Sequence, residues 1–128
     1  MNVLIACEES QRVCIAFRKR GHNAFSCDIQ EPSGGHPEWH ILGDVLEVIN
    51  PKSACGLFYG IHFMTMDNDV KYVKKWDLII AHPPCTKTSN AGAKHLWKGH
   101  KLNIKRYYEG LCGKALFMAI WAADCERM

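Results

Sequence analysis

The sequence lacks the features of several classes of protein. No apolar stretch approaches the roughly 20 residues that cross a bilayer, and the first residues have neither the basic segment nor the apolar length of a secretory signal. The seven cysteines include no CxxC pair, which disfavours a zinc ribbon. No glycine-rich turn follows the first apolar segment, which argues against a dinucleotide pyrophosphate site. We therefore expect a reduced, cytoplasmic protein with no membrane partner and no metal ion, in which most cysteines pack in the core.

What is present is ordinary globular composition. The chain has 128 residues, of which 48% are hydrophobic and 23% charged, and its formal net charge is +3. This length suits one domain, because domains commonly hold about 100–150 residues. We therefore predict a single domain over residues 1–128. The mildly basic balance is compatible with a nucleic-acid partner without arguing for one.

Apolar runs and turn residues predict an α/β fold. Residues 2–6 are a continuous apolar run, as in a strand that is buried on both faces of a parallel sheet. A helix follows, with Ser10 as its N-cap and Gly21 as its stop, and residues 23–29 form the next strand. Further strands are predicted in residues 41–46, ending near Gly43, and in residues 76–81. The pattern predicts a Rossmann-like, mostly parallel sheet.

The remaining segments interrupt or extend this pattern. Loose alternation predicts an inserted β-hairpin near residues 63–73, and residues 51–53 form a break. Residues 86–102 are predicted to be a polar loop, and a long helix is predicted from about Asn103 to Ala123. Doubly wound sheets usually have more than the four core strands counted here. We therefore expect a domain that is incomplete at its C-terminus.

Ligands of open α/β sheets bind at the carboxyl ends of the strands, where several polar residues are predicted to lie. Cys7, Glu8 and Glu9 follow the first strand. Asp28, at the end of the second strand, is predicted to accept hydrogen bonds from ribose hydroxyls or else to be solvated in a loop. Asp44 is predicted either to bind the exocyclic amine of an adenine or to be a turn or N-cap residue.

The strongest signal follows the last predicted strand. Pro83 and Pro84 restrict the backbone on either side and provide a rigid mount for Cys85. A cysteine so held is a candidate nucleophile, with His82 and Lys87 close in sequence. The alternative is a buried structural cysteine.

Pro83-Pro84-Cys85, with Ser89 and Gly92, gives PPCxxxSxxG, which resembles the catalytic motif of the DNA cytosine-5 methyltransferases. Residues 3–11, 26–29 and 77–86 extend the resemblance to the small phage and prophage proteins of that type. The resemblance implies a class I S-adenosylmethionine-dependent methyltransferase core, encoded by a phage or prophage and working in the bacterial cytoplasm. It also implies that Cys85 attacks carbon 6 of a cytosine that has left the DNA duplex.

The resemblance also implies the roles of individual residues. The catalytic residues would be Cys85, Pro83 and Pro84. S-adenosylmethionine would be bound by Cys7, Glu8, Glu9, Asp28, Ile29, Asp44, His82 and Pro83. The DNA substrate would be contacted by Ser89, Asn90, Gly92 and Lys94. The Glu-Asn motif of the family's next strand would fall beyond Met128, so we expect a truncated chain.

Other interpretations stay open. In an amino-methyltransferase of the same fold, an aromatic residue would occupy the position of Cys85. A truncated, non-catalytic nucleotide- or nucleic-acid-binding module is the other alternative. Basic residues interleaved with aromatic ones from Lys94 to Tyr108 form either a nucleic-acid surface or a solvated face. His36 and His40 are a weak candidate for a metal pair, because Pro37 disfavours a helix between them.

Overall fold

The computed structural model describes residues 1–49 and 60–127. In chain order the elements are β1 (Asn2–Ala6), α1 (Arg12–Lys19), β2 (Asn23–Asp28), a 3-10 turn (Pro37–Trp39), β3 (His40–Leu42), α2 (Val45–Ile49), β4 (Ile61–Met64), β5 (Val70–Val73), β6 (Leu78–Ala81), α3 (Asn90–Ala93), β7 (Trp97–Lys98), β8 (Lys101–Leu102) and α4 (Ile104–Trp121).

Two compact units make up the chain. The sheet unit comprises residues 1–82 and those from Ala123 onward, and the basic unit comprises residues 83–122. The prediction of a single domain stays a prediction, because a compact unit need not fold on its own.

The core of the sheet unit is a parallel sheet of four strands in the order β3-β2-β1-β6. Residues 3–6 of β1 are fully buried, which explains why this central strand is a continuous apolar run. The four strands are the four predicted core strands. The α/β class with a parallel sheet is therefore confirmed, and it is compatible with a Rossmann-like core.

Helix α1 begins later than the sequence predicts. Its N-cap is Gln11 in the left-handed conformation (φ 56°), not Ser10. The predicted cap is wrong because the first turn is capped from farther away: the Glu8 carboxylate accepts hydrogen bonds from the backbone N–H groups of Val13 (2.7 Å) and Cys14 (3.2 Å). The end of the helix agrees with the prediction, since Arg18 and Lys19 lie in the last turn.

The predicted hairpin is confirmed, with bounds slightly wider than residues 63–73. Strands β4 and β5 pair antiparallel, and Asn68 takes a positive φ in the turn between them. Phe63 of β4 contacts Phe25 of β2 edge to face at 4.9 Å and stacks on buried Trp76. The hairpin thus belongs to the core of the sheet unit.

Two predicted segments differ in the structure. The predicted loop at residues 86–102 contains the short helix α3 and the hairpin β7–β8. The strand predicted in residues 41–46 ends at Leu42, and residues 45–49 form helix α2, which was not predicted. The long helix agrees with its prediction and begins after Asn103, whose side chain caps it. The predicted break at residues 51–53 lies outside the described residues.

None of the helices in the described ranges combines the length and apolar character needed to cross a membrane.

Cys14 and Cys27 are buried, as expected of packing residues, whereas Cys112 is exposed on α4 and does not pack in a core. Cys85 is also exposed. Cys55 lies outside the described residues.

Candidate functional site

The carboxyl edge of the sheet brings three of the predicted site residues together. The thiol of Cys7 directly follows β1, and its pKa is raised to about 11 by burial and by the nearby carboxylates of Asp28 and Asp44. Cys7 itself has a positive φ, and its backbone N–H donates to the carbonyl of Cys27 at 2.8 Å. The ends of β1 and β2 and the start of α2 therefore form one acidic edge in which Cys7 stays a neutral thiol.

Glu8 and Glu9 have different surroundings. Glu8 is buried, and both of its carboxylate oxygens accept hydrogen bonds from the first turn of α1. A carboxylate favours this position because the helix N-terminus carries unpaired N–H groups and a partial positive charge. Glu9 is partly exposed, and its backbone carbonyl accepts a hydrogen bond from Ser33. Glu8 thus holds α1, and Glu9 is the carboxylate that remains accessible to a ligand.

Asp28 and Ile29 present a polar and an apolar group side by side. Oδ1 of Asp28 accepts a hydrogen bond from the backbone N–H of Gln30 at 3.0 Å, which fixes the carboxylate at the end of β2. Ile29 is 77% exposed, which is unusual for a large aliphatic residue directly after a core strand. The pair could hold a ligand with hydroxyl groups beside a flat apolar ring.

Asp44 has the structural role that the sequence left open. Its Oδ1 accepts a hydrogen bond from the backbone N–H of Leu46 at 2.9 Å, and its carbonyl accepts one from Glu47. Asp44 therefore begins α2. The residue is exposed, so capping and ligand binding are compatible.

A buried polar network that the sequence analysis did not identify lies behind this edge. Nε2 of Gln11 donates to Ser26 Oγ at 3.2 Å, and Ser26 Oγ lies 2.9 Å from Nδ1 of His40. Nε2 of His40 lies 3.0 Å from the carbonyl of Gln30. All three side chains are fully buried. Because a carbonyl only accepts, His40 carries its proton on Nε2, and its Nδ1 accepts from Ser26.

The same network holds the loop between β2 and β3. Gln11 also binds both backbone polar groups of His36, at 3.0 Å and 2.8 Å. Gly34 passes so close that a Cβ there would lie 2.5 Å from Cβ of Gln11, so a side chain at this position would displace the loop. Both ring nitrogens of His40 are engaged in these contacts, which leaves His40 unsuited to bind a metal ion together with His36.

His82 closes the last strand of the sheet unit. Its backbone N–H donates to the carbonyl of Ala6 at 2.9 Å, which continues the pairing of β1 with β6 by one residue. The side chain of His82 is exposed. This ring is accessible at the carboxyl edge where the sequence analysis predicts a cofactor contact.

Within the basic unit, Cys85 begins a tight turn. Its carbonyl accepts hydrogen bonds from the backbone N–H groups of Thr88 (3.1 Å) and Ser89 (2.8 Å). Ser89 in turn caps α3, because its hydroxyl accepts from the N–H of Gly92 at 3.2 Å. Of the predicted substrate residues, Ser89 and Gly92 therefore shape the loop, while Asn90 and Lys94 are exposed at either end of α3.

Arg106, which the sequence analysis gave no specific role, fixes this loop on α4. Its guanidinium donates to the carbonyls of Thr86 (2.9 Å) and Gly92 (3.0 Å). A Cβ on Gly92 would lie 2.2 Å from the Thr86 carbonyl oxygen, so only glycine allows this approach. An ion pair of 2.6 Å between Lys87 and Glu109 adds a second link between the loop and the helix.

A cleft of about 370 Å³ opens beside the thiol of Cys85. Its walls come from the loop and from one side of α4, and they are Pro83, Pro84, Cys85, Thr88, Gly113, Lys114 and Phe117. Clefts of this size suit small organic ligands. Pro83, Pro84 and Cys85 were predicted from the sequence as site residues, whereas Thr88, Gly113, Lys114 and Phe117 were not. The last three residues are spaced as on one face of a helix, but the sequence does not indicate which face of α4 lies against the loop.

The described residues contain no cluster of three or more histidine, cysteine, aspartate or glutamate side chains arranged to hold a metal ion. Comparisons of this chain with models of protein families, with curated proteins and with solved structures found no match.

Proposed function

We propose that this chain transfers a methyl group from S-adenosylmethionine to carbon 5 of a cytosine in DNA. The observation that carries the proposal is the exposed thiol of Cys85 in a ligand-sized cleft, directly after two prolines. A nucleophile must be accessible and held in a fixed direction, and the proline rings and the turn at Cys85 meet both requirements.

The topology of the sheet unit supports a class I methyltransferase core. From β1 the chain adds β2 and β3 on one side and later returns to β6 on the other side. Ligands of open α/β sheets bind at the carboxyl ends of strands beside such a switch point. The acidic edge formed by Cys7, Asp28 and Asp44 lies at those ends, which is where the proposal requires the cofactor.

The residues at this edge fit the parts of S-adenosylmethionine. Asp28 would accept hydrogen bonds from the ribose hydroxyls, and Ile29 would pack against the adenine ring, whose exocyclic amine Asp44 would bind. Glu9 would bind the amino group of the methionine portion, because both carboxylate oxygens of Glu8 already accept hydrogen bonds from the first turn of α1. When bound, the cofactor supplies an electrophilic methyl group on a sulfonium.

The chain's own chemistry begins at Cys85. Its thiolate would bond to carbon 6 of the cytosine, and the electron pair of the 5,6 double bond would make carbon 5 nucleophilic toward the methyl group. After transfer, the proton on carbon 5 leaves to a base, and the bond between sulfur and carbon 6 breaks to restore the thiolate. Pro83 and Pro84 would keep water away from one side of the ring, and Lys114, which also lines the cleft, would bind a phosphate. The base must be out of the stack to enter the cleft.

Trapping with an oligonucleotide that contains 5-fluorocytosine tests the proposal. Fluorine cannot leave as a cation, so the methylated adduct of Cys85 should persist on a denaturing gel in the presence of S-adenosylmethionine. The adduct should be absent from the Cys85→Ser variant. It should be retained in Cys112→Ser, which removes the other exposed thiol of the same unit. Absence of both adduct and cofactor binding by calorimetry would rule the proposal out.

A non-catalytic nucleic-acid-binding module is the second candidate. The specific observation in its favour is that Glu8, one of the four carboxylates predicted to bind the cofactor, is buried against α1. This candidate predicts DNA binding without an adduct and with no effect of S-adenosylmethionine.

A further inference from the structure

The charge of the chain is divided unevenly between the two units. Residues 83–122 contain seven Lys or Arg and one acidic residue, Glu109. The rest of the chain contains nine Lys or Arg against twelve Asp or Glu. The overall charge of +3 therefore conceals a basic unit of formal charge +6 in 40 residues. A charge so concentrated indicates a polyanionic partner.

Most of this charge is not neutralised by ion pairs among the residues that the structure describes. Glu109 pairs with Lys87, and Arg106 is bound to two neutral carbonyls. The ion pairs found among the described residues involve none of the five exposed lysines that remain, which are Lys94, Lys98, Lys101, Lys105 and Lys114.

The hairpin β7–β8 places two of these lysines against each other. Lys98 and Lys101 are direct partners in the antiparallel register, so their side chains project from the same face. Like charges directly opposite each other destabilise a strand pair. The repulsion would be relieved by an anion between the two ammonium groups, which points to a phosphate at this position.

A second cleft, of about 240 Å³, adjoins the cleft of Cys85, and the two share Thr88 and Lys114. Tyr107, Leu111 and Lys114, which are spaced as on one face of α4, contribute to its walls. Tyr107 is 44% exposed, so its ring remains available to a flat ligand.

We infer that the basic unit binds a single-stranded nucleic acid, with consecutive bases in the two clefts. The target base would enter the cleft of Cys85, and its neighbour would stack on Tyr107 in the second cleft. Lys114, which borders both clefts, would bind the phosphate between the two nucleotides, and Lys98 and Lys101 would bind a further phosphate. The assignment of the target base rests on the proposed function, whereas the binding of the strand does not.

The choice of a single strand follows from the aromatic rings. Exposed rings stack on unpaired bases, and they alternate with cations here as in proteins that bind single strands. Trp97 of β7 is also more than half exposed, at 55%. In a duplex the bases stack on one another, and these rings would find no partner.

Fluorescence anisotropy on the full chain tests the inference. The probe is a labelled ten-nucleotide DNA strand that contains one cytosine, measured alone and annealed to its complement at 50 mM salt. We expect the single strand to bind at least tenfold more tightly than the duplex. Equal or tighter binding of the duplex would overturn the inference, as would no binding to either form.

Variants test the two kinds of contact separately. Tyr107→Ala should weaken binding of the single strand by about tenfold, whereas Tyr108→Ala, which alters a ring outside the second cleft, should change it less than twofold. Replacing Lys98 and Lys101 together by Gln should reduce the slope of log K against log salt by about 1.4, on the basis of about 0.7 for each phosphate contact. The same change at Lys19 of α1 should leave the slope unaltered. Equal effects of the two tyrosine variants would refute stacking in the second cleft.

These results are distinguishable from a failure of the proposed function. Selective binding of the single strand that depends on Tyr107, without a trapped adduct, would support this inference and refute methyl transfer. An adduct formed with duplex DNA, without preference for the single strand, would do the reverse.

Discussion

Gln11 holds His36 through both backbone polar groups of that residue. Its Oε1 accepts from the His36 N–H, and its Nε2 donates to the His36 carbonyl. The residues are 25 positions apart, and the contact fastens the loop between β2 and β3 to the first turn of α1. A buried amide is therefore one of the groups that hold this loop in place.

Replacing Gln11 by Ala should lower the free energy of unfolding by about 2–4 kcal/mol, because it leaves buried partners without hydrogen bonds. Urea unfolding followed by circular dichroism measures the change. Gln30→Ala is a matched control: its side chain is exposed, and its carbonyl, which accepts from His40, is retained. Equal stability of the two variants would contradict the described network.

Burial lowers the pKa of His40 from its usual 6.5, although the hydrogen bond to the Gln30 carbonyl and the charges of Asp28, Glu9 and Glu8 act in the opposite direction. The unfolded chain therefore binds a proton on His40 at a higher pH than the folded chain does. Stability should be fully present above about pH 6.5 and should fall as the pH drops below that value. Urea unfolding between pH 7.5 and 5 should show this loss in the wild type and a weaker one in His40→Gln. The exposed-site variant His100→Gln should follow the wild type, and a flat wild-type profile would be inconsistent with a neutral buried ring.

The two adjacent glutamates should separate stability from ligand binding. Glu8→Gln should cost about 1–2 kcal/mol of unfolding free energy, because the charge and one acceptor are lost at the start of α1. Glu9→Gln should leave stability unchanged and weaken the binding of S-adenosylmethionine, as measured by calorimetry. Unchanged affinity in Glu9→Gln would show that Glu9 does not bind the cofactor.

Thiol reactivity should follow burial. Iodoacetamide at pH 7.5 should modify Cys85 and Cys112, which are exposed, much faster than Cys14 and Cys27. Burial raises the pKa of Cys14 to about 11 and that of Cys27 to about 12, so both remain protonated. Mass spectrometry of timed digests gives the rate at each site, and labelling in guanidinium provides the unfolded reference. Modification of Cys27 as fast as Cys85 would contradict the described sheet.

Gly92→Ala should distort the loop that carries Cys85. The added Cβ would lie 2.2 Å from the Thr86 carbonyl oxygen, so the loop must move away from α3, at a cost of about 1–3 kcal/mol. Gly43→Ala, where no atom lies within 4 Å, is the control. Thermal unfolding compares the two, and an equal midpoint would show that the loop accommodates the methyl group.

The sequence predicts the sheet well because its signal is local. Strand β1 is a continuous apolar run because it is buried in the middle of a parallel sheet, and β6 beside it is also a continuous apolar run, in which Ile79 is buried. The predicted N-cap of α1 was wrong because Glu8, in the preceding loop, accepts a hydrogen bond from the backbone N–H of Val13, five residues away. No short-range capping pattern describes this contact. The burial of Gln11 could not be predicted from the sequence either, because glutamine is usually a surface residue.

Part of the candidate site could also be predicted from the sequence, and part could not. The residues after each strand, Cys7, Asp28 and Asp44, could be predicted because parallel strands end at a common edge. Lys114 and Phe117 could not, because the walls that they add depend on how α4 packs against the loop. Arg106 binds the Thr86 carbonyl and Gly92 approaches the same carbonyl closely, and neither contact forms a recognisable sequence motif.

The hydrogen bonds of Gln11, Ser26 and His40 form a chain in which every residue donates to the next one. Gln11 donates to Ser26, Ser26 donates to Nδ1 of His40, and Nε2 of His40 donates to the Gln30 carbonyl. Changing one of the three residues leaves its neighbours with buried donors or acceptors that have no hydrogen-bond partner. Replacing all three by apolar side chains of similar shape leaves no polar side-chain atom that needs a partner. We therefore expect strong epistasis among these three positions, so that related sequences accept substitutions there together more readily than singly.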